Sequence, residues 1–97
     1  MAGERQRIDK WLWHARIVRT RTRAVEIVEA GSVRINKVKV LKPAHAVGIG
    51  DVITVAVHGH VHVLRVKGAA ERRGPASHAM LLYESMDGAA QNLLQDL

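Results

Sequence analysis

Two different spacings of apolar residues divide this chain. Ile8, Trp11, Leu12 and Ala15 recur at i, i+3, i+4 and i+7, which predicts a helix over Ile8 to Val18 with one apolar face. Before it, residues 1–6 are polar and read as a short flexible leader. Thr20 suits the N-cap of a second helix, whose stripe is Ala24, Ile27 and Val28. Gly31 then stands where a C′ residue must turn left-handed, a conformation that costs glycine little.

Beyond Gly31 the period drops to two. Val33 and Ile35 flank Arg34, and Val38 and Val40 flank Lys39, which predicts two strands around a turn at Asn36-Lys37 with the apolar set inward and the basic set outward. Lys42-Pro43-Ala44 breaks the run, and Gly48-Ile49-Gly50-Asp51 is a turn into a third strand, Val52 to Val57. His58-Gly59-His60 can reverse the chain into a fourth strand, Val61 to Val66. After Gly68 a loop runs to Gly74, and Pro75 opens a predicted helix continuing over Ala76 to Met86. The last residues, 87–97, read as a short helix or a disordered acidic tail. The order predicts an α+β fold: two N-terminal helices packed on a small antiparallel sheet, then a C-terminal helix. Residues 7–68 are expected to form the domain proper and 69–97 a loop, helix and tail.

Composition sharpens this picture in three ways. With no Phe and 3% aromatics, the core must be built from Val, Ile, Leu, Ala and Met. With no Cys, disulfides and thiol chemistry are excluded, which fits a reducing cytoplasm. No apolar run approaches the ~20 residues of a membrane helix, and no signal peptide is evident, so no membrane association is expected.

Charge changes the picture most. All 15 Lys and Arg lie at or before Arg73, against 6 acids in the same span, while residues 74–97 hold only Glu84, Asp87 and Asp96. A basic body suits a polyanion, although basicity can also serve solubility alone. Arg16, Arg19, Arg21 and Arg23 crowd the junction between the two helices, with Arg5, Arg7 and Lys10 upstream. Arg21 and Arg23 sit in the first turn of the second helix, where a positive charge costs roughly 0.3–1 kcal/mol at low salt. An anion there would reverse the sign, and the guanidinium fork grips phosphate bidentately. The competing reading, arginines paired with Asp9, Glu26 and Glu29 or left in solvent, is short of acids. Arg34, Lys37 and Lys39 form a second basic set on the first hairpin, which by itself reads as a solvated sheet face. Trp13 lies off the apolar stripe among Lys10 and Arg16. It could stack on a base, but packing against a neighbouring segment, with residues 75–86 as one candidate, is the favoured reading.

Arg7-Ile8-Asp9-Lys10-Trp11-Leu12, Thr20-Arg21-Thr22-Arg23-Ala24 and Gly31-Ser32-Val33-Arg34-Ile35-Asn36 resemble, in order and spacing, the alpha-L motif of the RNA-binding domain first described in ribosomal protein S4. Asp9 to Trp13, Glu71-Arg72-Arg73, Pro75-Ala76-Ser77 and Leu81-Leu82-Tyr83-Glu84 are similar to the bacterial fifteen-kilodalton heat-shock family within it, over about residues 7–84. The resemblance implies two helices on an antiparallel sheet and a non-catalytic RNA binder. It also implies a heat-shock role on free large ribosomal subunits that carry a stalled nascent chain on tRNA. Structured RNA, ribosomal RNA above all, is the implied partner. The motif's RNA-facing positions fall on Arg7, Asp9, Lys10, Arg21, Thr22, Arg23, Arg34, Asn36 and Lys37; Arg16, Arg19 and Lys39 join them from the charge pattern. Asp9 is expected to orient a neighbouring cation. Three departures stand out. Lys37 replaces the usual Gly of an Asn-Gly turn, which leaves the turn type open. Gly74 is extra, and the acidic tail is short.

Three rivals were weighed. An enzyme finds no phosphate-cradling Gly loop, no room for a catalytic domain and only an adjacent Ser77-His78 pair, which is not a triad. A metal site at His58, His60 and His62, joined by His45 or His78, lacks Cys and has a solvated hairpin as its plain alternative, so no cofactor is expected. Non-specific DNA binding shares the phosphate contacts and stays open. A monomer is expected of so small and charged a module.

Overall fold

The computed structural model describes residues 5–57, 59–70 and 73–86. They form β1 (Arg5–Arg7), α1 (Ile8–His14), α2 (Arg21–Glu29), β2 (Val33–Ile35), β3 (Val38–Lys39), β4 (Ala46–Gly48), β5 (Val52–Val57), β6 (His60–Val66), α3 (Ala76–Ala79) and β7 (Tyr83–Ser85). Five strands make an antiparallel sheet in the order β3-β2-β5-β6-β7, and β1 with β4 makes a separate ribbon. The α+β class predicted above is the one observed. Both helical stripes and the inner faces of β2, β5 and β6 meet in one core, with Ile8, Trp11, Leu12, Ala24, Val28, Val33, Ile53 and Val55 fully buried.

The first helix is shorter than its pattern predicts. Ala15 and Val18 are buried as the spacing requires, but the chain leaves the helix after His14. Arg16 takes φ 62°, its N–H reaches the Trp13 carbonyl (3.0 Å), and the Ile17 N–H reaches Leu12 (3.0 Å). This is a Schellman ending with arginine where glycine is usual, so the sequence carries no stop signal. The second helix follows its reading closely. Thr20 Oγ1 accepts the Arg23 N–H at 3.0 Å, and Gly31, at φ 82°, closes the far end through Val28 and Ile27.

Asn36 and Lys37 both adopt positive φ, 52° and 74°, with Ile35 opposite Val38. The two-residue type I′ turn is therefore kept, and Lys37 bears the strain that glycine would avoid. Val33, Ile35 and Val40 are buried as predicted, but Val38 is 67% exposed. It lies on β3, the edge strand of the sheet.

Two elements overturn the sequence reading. The supposed leader contributes β1, whose Arg5 pairs with Gly48 and Arg7 with Ala46. That ribbon brings the His45 and Pro43 carbonyls to the Ile8 and Asp9 N–H groups (2.7 and 3.2 Å), which would otherwise be unpaired donors at the start of α1. At the other end, the helix predicted over 76–86 is one turn long. The chain then extends as β7 along β6, with Leu64 opposite Ser85 and Val66 opposite Tyr83. A continued helix would leave that sheet edge unpaired. It would also withdraw Leu82 from the core and Tyr83 from its edge-on contact with Trp11, centroids 6.3 Å apart. Glu71, Arg72, His58 and the tail over 87–97 lie outside the described residues. Among the described residues no helix is long and apolar enough to cross a membrane.

Lys37→Gly should raise stability by up to about 1 kcal/mol, because the left-handed conformation costs an L side chain that much and glycine's extra unfolded-state freedom takes part of it back. Urea denaturation of the two proteins checks it; a loss of stability would mean that the Lys37 side chain supports the hairpin.

Candidate nucleic-acid interface

The site begins with a buried acid. Asp9 has no solvent exposure, and a carboxylate so placed must be met by donors. Arg7 Nε and Nη2 grip its two oxygens at 3.0 and 2.9 Å, the Lys10 N–H donates at 2.7 Å, and Arg21 Nε stands 3.5 Å away. Asp9 thus holds neighbouring cations in place. The Arg7 and Arg21 side chains stay 45% and 39% exposed, so two guanidinium groups from different elements are fixed side by side at the surface. Lys10 is half-buried next to them, and Thr22 and Arg23 follow on the exposed first turn of α2. Arg23 pairs with Glu26 at 3.3 Å, both ends exposed, a contact of small value. Arg19 is exposed in the interhelical turn.

The hairpin carries the second group. Arg34 lies opposite Lys39 in register on the outer face. Like charges directly opposite each other destabilise a sheet, and an anion between them would remove the penalty. Lys37 is exposed at the tip, its carbonyl 3.5 Å from Arg34 Nη1. Asn36 serves the fold: its Oδ1 accepts the Val52 N–H (2.9 Å) and its Nδ2 donates to Asp51 (3.1 Å). Asp51 also accepts the Gly48 N–H at 2.9 Å and faces Arg5 at 3.8 Å.

Arg16 is drawn elsewhere. Its Nε donates to the Gly74 carbonyl (2.9 Å), while Arg73 Nε donates back to the Trp13 carbonyl (3.1 Å). Gln6 Nε2 reaches the Ala70 carbonyl (2.6 Å) and lies 3.4 Å from His14 Nδ1; Trp11 Nε1 donates to Gly68 (2.9 Å). Together these bonds tie the segment after β6 to α1. Trp13 is half-buried against the core with its ring 5.2 Å from that of His14, in keeping with the packing reading. Sequence reasoning missed Gln6, His14 and Arg73: one stood in the presumed leader, one off the apolar stripe and one in a presumed free loop. Of the histidine cluster, His60 and His62 have ring centroids 6.4 Å apart and His58 is outside the described residues. Among those described, no three His, Cys, Asp or Glu side chains are grouped to hold a metal ion.

His14 is buried beside this cationic surface. Burial lowers its pKa below the ordinary 6.5; a hydrogen bond to the Ala70 backbone works the other way, and the charges of Lys10, Arg21 and Arg73 lower it further.

A helical pair with an oriented arginine cluster, set on a small antiparallel sheet, defines the class: residues 6–53 match the S4 domain. The chain is 41% identical over 78 residues to Heat shock protein 15 of Escherichia coli K12, covering 80% of this chain and 58% of that protein. It is 39% identical over 83 residues to the Heat shock protein 15 homolog of Aeromonas salmonicida, covering 86% and 62%. A solved structure of Vibrio cholerae Heat Shock Protein 15 superposes with a TM-score of 0.84 at 31% identity, covering 96% of this chain and 93% of that one. The chain belongs to the heat shock protein 15 family. It spans about three-fifths of the length of these E. coli and A. salmonicida relatives. The V. cholerae protein is described as a trimer, so the monomer expected from size and charge finds no support in its relatives.

With its folded pKa lowered, His14 binds fewer protons folded than unfolded, so stability is full above pH 6.5 and falls as pH drops from there through the lowered folded value. Thermal midpoints recorded from pH 7.5 to 5 should show this acid-side loss in the parent and less of it in His14→Gln; identical pH profiles would contradict the assignment.

Proposed function

We propose that this chain binds structured RNA without catalysing a reaction, through the phosphate backbone, on the surface built around Asp9. The observation that carries the reading is the pair of half-exposed guanidinium groups, Arg7 and Arg21, held on one buried carboxylate. Arginines fixed in this way have lost most of their side-chain freedom before an anion arrives, so less binding energy is lost to ordering them. Their planar forks then present donors in the geometry that phosphate oxygens accept. Lys10, Thr22 and Arg23 extend the same surface, and the opposed Arg34 and Lys39, with Lys37, supply a second set of contacts. Asn36 contributes by holding the hairpin that carries them. The S4 domain and the family support RNA as the polymer. Within that reading the partner is ribosomal RNA of the free large subunit carrying a stalled nascent chain on tRNA, and the task is recycling such subunits after heat stress.

Replacing Arg21 and Arg23 together by Ala should weaken RNA binding about tenfold or more while leaving the fold intact, because Arg7 still satisfies Asp9. In the parent protein, log affinity should fall with log salt at a slope set by roughly 4–7 phosphate contacts. Filter binding at several salt concentrations, with circular dichroism of the variant, reads both. Unchanged affinity in a folded variant removes the arginine assignment, and a flat salt dependence removes the electrostatic mechanism. Co-sedimentation with separated ribosomal subunits tests the finer claim: pelleting with large subunits that survives moderate salt supports it. Equal, salt-labile pelleting with both subunits, competed equally by duplex DNA, reduces the protein to a general nucleic-acid binder.

A further inference from the structure

Next to the arginine surface lies a groove that the reading above leaves unused. Its volume is about 500 Å³, within the range of clefts that hold small organic ligands. His14, Arg73, Gly74, His78, Ala79 and Leu82 are among the residues that line it. Ala79 and Leu82 are buried, so the wall they form is apolar and fixed, while His78 is exposed at the opening.

Arg73 is the cation of the lining, and Arg16 stands beside it through its bond to Gly74. Arg73 spends its Nε on the Trp13 carbonyl and Arg16 spends its Nε on the Gly74 carbonyl, so each guanidinium is anchored at one nitrogen with its Nη groups left over. Arg16 holds that place from a left-handed backbone, φ 62°, where a glycine would be less strained. His14 on the groove wall stands on α1 four residues from Lys10, a member of the candidate RNA surface, and so on the same face of that helix.

A site with an apolar wall, aromatic rings at wall and mouth, and two anchored cations, one in its lining and one beside it, has the chemistry of a nucleotide: a flat π face attached to an anion. We infer that the groove receives one unpaired nucleotide of the bound RNA, its base between His78 and the Pro75–Ala79–Leu82 wall and its phosphate on Arg73 and Arg16. The inference rests on the RNA-binding reading and deepens it, for it makes the C-terminal segment a sensor of an unpaired position beside the helix that the arginines grip. A perfectly paired duplex would satisfy the Arg7–Arg21 surface and leave the groove empty.

The test uses two RNA duplexes that differ only in a single bulged nucleotide, each carrying 2-aminopurine, at the bulge in one and at a paired position in the other. The parent protein should bind the bulged duplex about tenfold more tightly, the factor that one stacked base commands, and only the bulge probe should change its emission at saturation. Two variants probe the groove away from the arginines. His78→Ala removes a stacking face, and Gly74→Val narrows the opening, since a Cβ there would stand 3.4 Å from His78 Nδ1. Both should abolish the bulge preference and keep affinity for the paired duplex within about twofold, since its phosphate contacts are untouched. Equal binding of the two duplexes with a silent bulge probe overturns the groove assignment and leaves RNA binding standing. So does a bulge preference that survives in both folded variants. Failure of the parent to bind either duplex overturns both readings.

Discussion

Asp9 carries a charge into a place without water, and the surrounding chain is arranged to meet it. The carboxylate sits in the first turn of α1 with its oxygens taken by Arg7, by the Lys10 N–H and, at longer range, by Arg21. Removing the bidentate partner Arg7 would cost far more than the contact gains, because the charge left behind would be largely unsolvated. The carboxylate therefore fixes where β1 ends, how α1 starts and where α2 must place its first residue. The same interaction that constrains the helical pair also aims two guanidinium groups outward. Fold and candidate interface share one set of atoms, which is why the cluster can be rigid on a 97-residue chain.

A second consequence concerns the segment after β6. Small domains bury little, and this one has three aromatic residues to work with. Trp11 is spent fully: its ring is buried, its Nε1 holds the Gly68 carbonyl, and Tyr83 packs against its edge. Gln6 and Arg16, on either side of α1, add further ties to Ala70 and Gly74, and Arg73 adds one to Trp13. The C-terminal stretch is thereby brought onto the helical pair and its β7 completes the sheet edge. A helix continuing through residue 86 would have kept a good local pattern and lost these long-range contacts, so tertiary packing prevails over periodicity.

What the sequence disclosed, and what it hid, follow the same division. Long periodic stripes with capping chemistry were legible: α2 between Thr20 and Gly31, the Val33–Val40 hairpin, and the apolar residues of α1. The arginine cluster with Asp9 was legible because its members lie close in sequence. The terminal strands were not, since Arg5-Gln6-Arg7 and Tyr83-Glu84-Ser85 lack an apolar alternation and are strands only by virtue of distant partners. The groove was hidden for the same reason: His14 and His78, which both line it, are more than sixty positions apart. Asn36 was read as an RNA-facing position, while its amide in the structure is occupied by Val52 and Asp51, a use that needs the β2–β5 pairing to exist first.

The three left-handed residues that are not glycine point the same way. Gly31, Gly50 and Gly59 show that the chain uses glycine where a turn demands positive φ and nothing else is asked of the position. Arg16, Asn36 and Lys37 adopt the same conformation at a cost on the order of 1 kcal/mol each, a considerable fraction of the marginal stability of a small domain. Asn36 recovers its share through the two bonds of its amide. Arg16 is compensated by the two backbone bonds that end α1 and by its side-chain bond to Gly74, whereas the Lys37 side chain is exposed at the hairpin tip. Strain that the fold does not repay is best accounted for by what the side chain does when a partner is present. Lys37, the left-handed residue whose side chain has no such return, is a cation on the hairpin that carries the opposed Arg34 and Lys39, where an anion would relieve like-charge repulsion.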